Sequence, residues 1–231
     1  MEKILYLRKF SKTIEFVDYQ TLSDSELMTF PLYWKNAFDK EFMNDKIDCI
    51  LSEWNKYNYQ FKTTTAYLNE HLKEIELVRN KNDISILYTI ENIKGKDIYY
   101  IGKNPYTKVI PKTLVNKWDR IPENIKILYD EFHNGWYYFA SESNGFSSVE
   151  NIIILGDIEW GILDTIDIKT LPFNLDNCLG FFHNGDGSYV CYDLMSKDDK
   201  KGFIWFKNKI PKINIEFFPY LDEWTTMSLE E

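Results

Sequence analysis

The sequence predicts an α+β fold. Strand-like runs with partial apolar alternation occur in both halves of the chain, helix-start signals stand between them, and two polar turns join neighbouring runs into hairpins. Residues 4–7 (ILYL) and 13–19 (TIEFVDY) are strand-like by residue type. Ser23 and Glu26 have capping-box spacing, the hydroxyl at the N-cap and the carboxylate at the third helical position. A helix is expected through Leu27, with Pro31 placed to interrupt it. A second helix is expected over 64–78, because Leu68, Leu72 and Ile75 fall on one helical face. The run 83–102 reads as two strands around Lys94-Gly95-Lys96.

Asn104-Pro105 and Ile110-Pro111 mark an expected boundary, since proline pushes the residue before it out of helical geometry. Residues 1–110 then form an N-terminal α+β extension, and 111–231 a second domain. In that domain Pro122 is expected at the first helical position, where its missing N–H costs nothing. Ile125, Leu128, Tyr129 and Phe132 recur at helical spacing, and Gly135 is expected to end the helix in a left-handed cap. Strands are expected at 136–140, 151–155, 188–195 and 202–206, the last two joined across the polar turn SKDDKK. A final helix near Phe218-Pro219 should cover Leu221 and Trp224 and leave Asp222 and Glu223 outside.

Composition narrows the function classes. Of 231 residues 44% are hydrophobic and 17% aromatic, enough to build a sizeable core. The first twelve residues carry Glu2, Lys3, Arg8 and Lys9 and lack a secretory pattern, and no run approaches the roughly 18 apolar residues that span a bilayer. Cys49, Cys178 and Cys191 are odd in number and widely spaced, which speaks against a disulfide framework and for a reducing cytoplasm.

The net charge of −9 is unevenly placed. Residues 1–116 hold 17 Lys and Arg against 16 Asp and Glu; residues 117–231 hold 10 against 20. Between Glu150 and Asp193 the only base is Lys169, among Glu150, Asp157, Glu159, Asp164, Asp167, Asp176, Asp186 and Asp193. Such a field repels nucleic-acid phosphates and attracts basic partners.

The second half carries Ile121-Pro122, Asn134-Gly135, Gly185-Asp186-Gly187, Tyr192-Asp193-Leu194 and Phe217-Phe218 to Leu221 in that order. In order and spacing these pieces resemble the SUKH superfamily, whose members include immunity proteins of bacterial polymorphic toxin systems and a fungal cell-wall synthesis regulator. The pieces span about half the chain. The resemblance implies a mainly antiparallel sheet with helices against it and a non-enzymatic role, occupying a cognate toxin, often a nuclease or deaminase. It carries over no binding residue.

The chemical alternatives are weaker on the residues. Cys178 or Cys191 with His133 or His183 and a nearby Asp could make an activated thiolate, but no signature places a thiol beside an imidazole. Cys178, His183 and Cys191 lack the paired spacing of structural zinc. Asp186 between two glycines lacks the further oxygen ligands of a calcium loop and the lysine of a P-loop, so it is expected to hydrogen-bond its own turn. No catalytic residue, metal or cofactor is expected, and no nucleic-acid or membrane partner. The expected partner is a basic protein toxin, met by Asp157, Glu159, Asp164 and Asp167 with Trp136 and Trp160 as aromatic anchors, although core packing is the commoner fate of such residues. A housekeeping adaptor of the same fold and a Cys-dependent hydrolase are the alternatives.

Overall fold

The structure, a computed structural model, describes residues 2–164 and 166–231. The chain opens with α1 (Glu2–Leu7) and β1 (Glu15–Val17). Residues 4–7 are thus helical and not the expected strand. Lys3 and Leu7, one turn apart, both face the sheet: Lys3 pairs with Glu74 and Glu76, and Leu7 is fully buried. The capping box forms, Ser23 and Glu26 each satisfying the other's backbone N–H, and starts α2 (Asp24–Met28). Pro31 stands at the N-cap of α3 (Leu32–Phe38), where it separates two helices. Next come α4 (Met43–Lys56) and α5 (Lys62–His71).

The helix expected over 64–78 stops at His71. From there Glu74, Ile75, Glu76 and Leu77 alternate polar and apolar, and that period of two wins once strands lie on both sides. The stretch becomes β2 (Leu72–Asn80), followed by the hairpin of β3 (Asp83–Glu91) and β4 (Asp97–Lys103), with Gly95 at φ +71° in its turn. α6 (Lys112–Trp118) precedes α7 (Glu123–Ile127). Pro122 is the N-cap of α7, one position earlier than expected. The helix then widens into a π-helical turn, Leu128–Phe132, closed by the His133 N–H on the Leu128 carbonyl at 2.8 Å. Its cap is His133, so Gly135 (φ +89°) does not itself end the helix; it turns the chain so tightly that a Cβ would stand 2.5 Å from the Ser148 backbone.

The remaining strands are β5 (Trp136–Tyr138), β6 (Ser143–Phe146), β7 (Ile153–Ile154), β8 (Cys178–His183), β9 (Tyr189–Asp193), β10 (Lys201–Trp205) and β11 (Lys212–Glu216), ahead of α8 (Phe217–Glu230). Among the described residues, eleven strands form one sheet in the order β1-β2-β3-β4-β5-β6-β8-β9-β10-β11, with β7 sharing an edge of β8 with β6. Every pairing is antiparallel. The fold class is α+β.

The expected division at residue 110 is not a break in this packing. β4, before it, pairs with β5, after it. The main core draws Trp34, Trp54, Leu68 and Tyr88 together with Tyr129, Trp136, Phe182 and Leu221. That core lies on the face covered by α2 to α8. The opposite face carries two smaller clusters: α1 covers Val78, Leu87, Ile101 and Tyr137, and the segment 155–177 covers Cys178, Cys191, Phe203 and Trp205. One end of α8 departs from expectation. Leu221 is buried and Glu223 exposed, but Asp222 is only 6% exposed, because α5 packs against it.

Candidate docking surface

The segment 155–177 leaves β7 and returns as β8, and its described residues make short 3-10 turns at Leu155–Asp157, Gly161–Asp164, Ile168–Thr170 and Leu175–Asn177. Local polar side chains explain that habit. Asp167 and Asn174 each accept the N–H two residues on, which favours single turns over a continued helix. The segment is nonetheless firmly seated. Trp160 donates its indole N–H to the Leu155 carbonyl at 2.8 Å and packs edge-on against Trp205 at 5.5 Å. Phe173 stacks on Phe203 at 4.1 Å, and Lys117 reaches the Asp176 carbonyl at 2.7 Å.

This seating sorts the sequence-expected contact residues. Asp157, Glu159, Asp164 and Asp167 are all exposed on the segment. Among the described residues, none of the four forms a side-chain ion pair. Many acids of the first half, by contrast, are paired: Glu15 and Glu26 with Arg79, Glu74 and Glu76 with Lys3, Glu91 and Asp97 with Lys73.

The two tryptophans are corrections. Trp136 is 0% exposed and stacks on Tyr100 at 4.3 Å in the main core, so it offers no surface to a partner. Trp160 is 9% exposed and holds the segment from beneath. The apolar groups that do reach the surface here are Ile158 and Ile168.

The motif residues are structural. Gly185 and Gly187 both take positive φ in the β8–β9 turn. Between them Asp186 accepts the Ser188 N–H at 2.8 Å, while Asn184 accepts those of Asp186 and Ser188. Asp193 accepts the Met195 N–H at the end of β9, and Tyr192 is buried on the helical face. Asn134 accepts the Val149 N–H at 2.9 Å and donates to Glu150 at 3.2 Å.

Glu150 leads to a feature absent from the sequence reading. Between the two clusters of the open face lie adjoining hollows of ≈260 and ≈390 Å³, which share Glu142, Glu150 and Asn151. Lys103 pairs with Glu150 in the lining, while Asp83 and Glu142 add further negative charge. Burial first, and then the charges of Glu142, Glu150 and Asp83, push the Tyr137 hydroxyl up, so it stays protonated. At the far rim His183 stacks on Tyr189 at 4.7 Å, and Tyr189 in turn meets Trp160. The second hollow therefore borders the aromatic cluster beneath the acidic segment. The signal in sequence is faint: Lys103, Glu142 and Glu150 are far apart in the chain, and only strand pairing brings them together.

The cysteines sit elsewhere. Cys178 and Cys191 are buried beneath the segment, and burial pushes both thiols up. His133 lies in the main core against Tyr88, its pKa lowered by burial to about 3. Among the described residues, no group of three or more His, Cys, Asp or Glu is placed to hold a metal ion. No described helix is long and apolar enough to cross a membrane. No known protein family, curated protein or solved structure matches the chain.

Proposed function

We propose that this chain is an immunity protein of the SUKH kind. It binds a basic cognate toxin, a nuclease or other nucleic-acid-directed enzyme, in the cytoplasm and blocks it by covering its substrate cleft. The observation that carries the reading is the set of exposed carboxylates at Asp157, Glu159, Asp164 and Asp167, without ion-pair partners among the described residues, on a segment fixed from below by Trp160. A surface already neutralised by its own lysines gains little from a cationic partner; an uncompensated one speeds encounter and orients it. Seating on a packed cluster keeps the charges in register, so little ordering entropy is lost on binding. Ile158 and Ile168 supply exposed apolar contacts beside the charges. Inhibition needs no chemistry from this chain, only occupancy of the cleft.

The test is co-purification with the toxin domain encoded beside this gene, followed by rescue of cells that express that domain. Rescue that charge reversal at Asp157 and Glu159 weakens supports the reading. A complex that forms without rescue favours a scaffold or adaptor role, and loss of both complex and rescue removes the proposal.

A further inference from the structure

On the helix-covered face, α3, α4, the 3-10 turn Pro105–Thr107 and the π-helical turn enclose a cleft of ≈620 Å³, a size typical of small-molecule sites. Its charged lining is Asp48, Glu53 and Glu131 against the single base Lys56. Glu53 stands out: the residue is 7% exposed although it is an acid. A carboxylate so buried needs a compensating cation. The one beside it is Lys56, at 2.6 Å and three residues on, whose own side chain is 66% exposed. That lysine is a long, solvated arm and can swing out into water.

Two aromatic faces border the same space. Tyr33 is fixed by donating its hydroxyl to the Phe132 carbonyl at the end of the π-helical turn. Tyr106 is 56% exposed and leaves its ring open to the cleft. Widened helical turns of this kind are concentrated at functional sites, and here the turn sets Glu131 at the cleft wall.

We infer that this cleft binds an organic cation the size of an arginine side chain, its guanidinium displacing Lys56 from Glu53 and lying against Tyr106. A guanidinium suits the site because it is planar, pairs with a carboxylate through two N–H groups and stacks on an aromatic ring. The cation is either a free guanidine compound or an arginine of a protein partner. The inference stands apart from the acidic segment, which lies on the opposite face of the sheet.

Calorimetry on the full chain tests it, with agmatine, with a short peptide carrying one internal arginine, and with N-carbamoylputrescine, which keeps the ammonium of agmatine but carries a neutral urea in place of the guanidinium. Saturable agmatine binding is expected, at least tenfold weaker in Glu53→Gln and in the urea analogue, and several-fold tighter in Lys56→Met, which removes the competing cation. Cys49 borders the cleft and is the one cysteine that is not buried, so agmatine should also slow its alkylation several-fold. Peptide binding as tight as agmatine points to a partner's arginine, and agmatine binding alone to a free compound. Should Glu53→Gln fail to fold, Tyr106→Ala, at an exposed position, is expected to weaken binding at least threefold. Binding of neither cation, equal binding by the urea analogue, or weaker binding in Lys56→Met overturns the inference.

Discussion

Asp222, near the start of α8, caps α5 from across the fold: its two carboxylate oxygens accept the backbone N–H groups of Thr63 and Thr64 at 2.8 and 2.9 Å. The local N-cap position of α5 is Phe61, which has no side-chain acceptor to offer. An N-cap is ordinarily local, and here the last helix supplies it to a helix some 158 residues earlier. Asp222→Ala leaves two N–H groups without partners in a buried contact. A loss of about 2 kcal/mol is expected, with α5 and α8 loosened together. Urea denaturation measures the first, and hydrogen exchange at Thr63 and Thr64 the second.

The buried histidine sets part of the acid response. His133 is 0% exposed, with Nε2 at 2.7 Å from the Tyr88 hydroxyl and the Gly102 Cα close against its ring. Its pKa is lowered to about 3 by burial, against the value near 6.5 of an unfolded histidine. Between those values the unfolded chain binds a proton that the folded chain does not, so stability falls as pH drops through that window, by at most about 1.4 kcal/mol per pH unit. His133→Gln should flatten the slope between about pH 6 and pH 4, although it lowers stability at pH 7. Unfolding midpoints measured across that range give the comparison.

Gly102 is fixed by the same ring. A Cβ there would stand 2.5 Å from the His133 imidazole, which is itself held by Tyr88 and the Lys103 carbonyl. The ring cannot yield without breaking a buried hydrogen bond. Gly102→Ala is expected to cost about 1–3 kcal/mol, the range of overpacking in a filled core. A Gly102→Ala protein as stable as the parent in urea would show that the ring has room to move.

How legible these features are in sequence depends on the distance over which each is determined. The Ser23–Glu26 cap and the Lys94-Gly95-Lys96 turn are set within four residues, and both form as expected. The Leu68, Leu72, Ile75 spacing misleads because it straddles a change of period: Leu72 ends a helix, and Ile75 belongs to a strand whose fate rests on β1 and β3. The exposure of the four acids on 155–177 is readable from their density. That Trp136 and Trp160 face inward is not, because the sheet face each one meets is decided by strand order. Asp222 looks like a surface acid beside Glu223 until α5 is known to end against it.

The Lys103–Glu150 pair ties the open-face hollow to the stability of the chain. Burial pushes the Glu150 carboxyl up, but the hydrogen bond and charge of Lys103, with Asn134 assisting, outweigh it, and the net direction is down. A carboxyl lowered on folding contributes stability that is present above the unfolded value near 4.3 and is lost as pH falls through the folded value. Glu150→Gln should remove this contribution and flatten the acid limb below about pH 4.5. Lys103→Met, which leaves the Glu150 carboxylate without its cation, should instead be destabilising at pH 7 and relatively better tolerated in acid. The opposite order in a pH series of melting temperatures would mean that the pair carries no net stabilisation.

Charge and anchoring separate kinetically if the acidic segment is a docking surface. Asp157 and Glu159 are exposed and form no ion pair among the described residues, so reversing either to lysine should leave the melting temperature within a degree or two. Association with a basic partner should slow several-fold at low ionic strength, and the difference should shrink as salt rises past about 0.15 M, where the screening length is about 8 Å. Trp160→Ala should behave differently. It removes the indole that holds Leu155 and Trp205 together, so it lowers stability and frees the segment, and the loss appears in dissociation with little dependence on salt. Stopped-flow association and dissociation rates at several salt concentrations distinguish the two. If Asp157→Lys alters dissociation alone, long-range charge is not what brings the partner in.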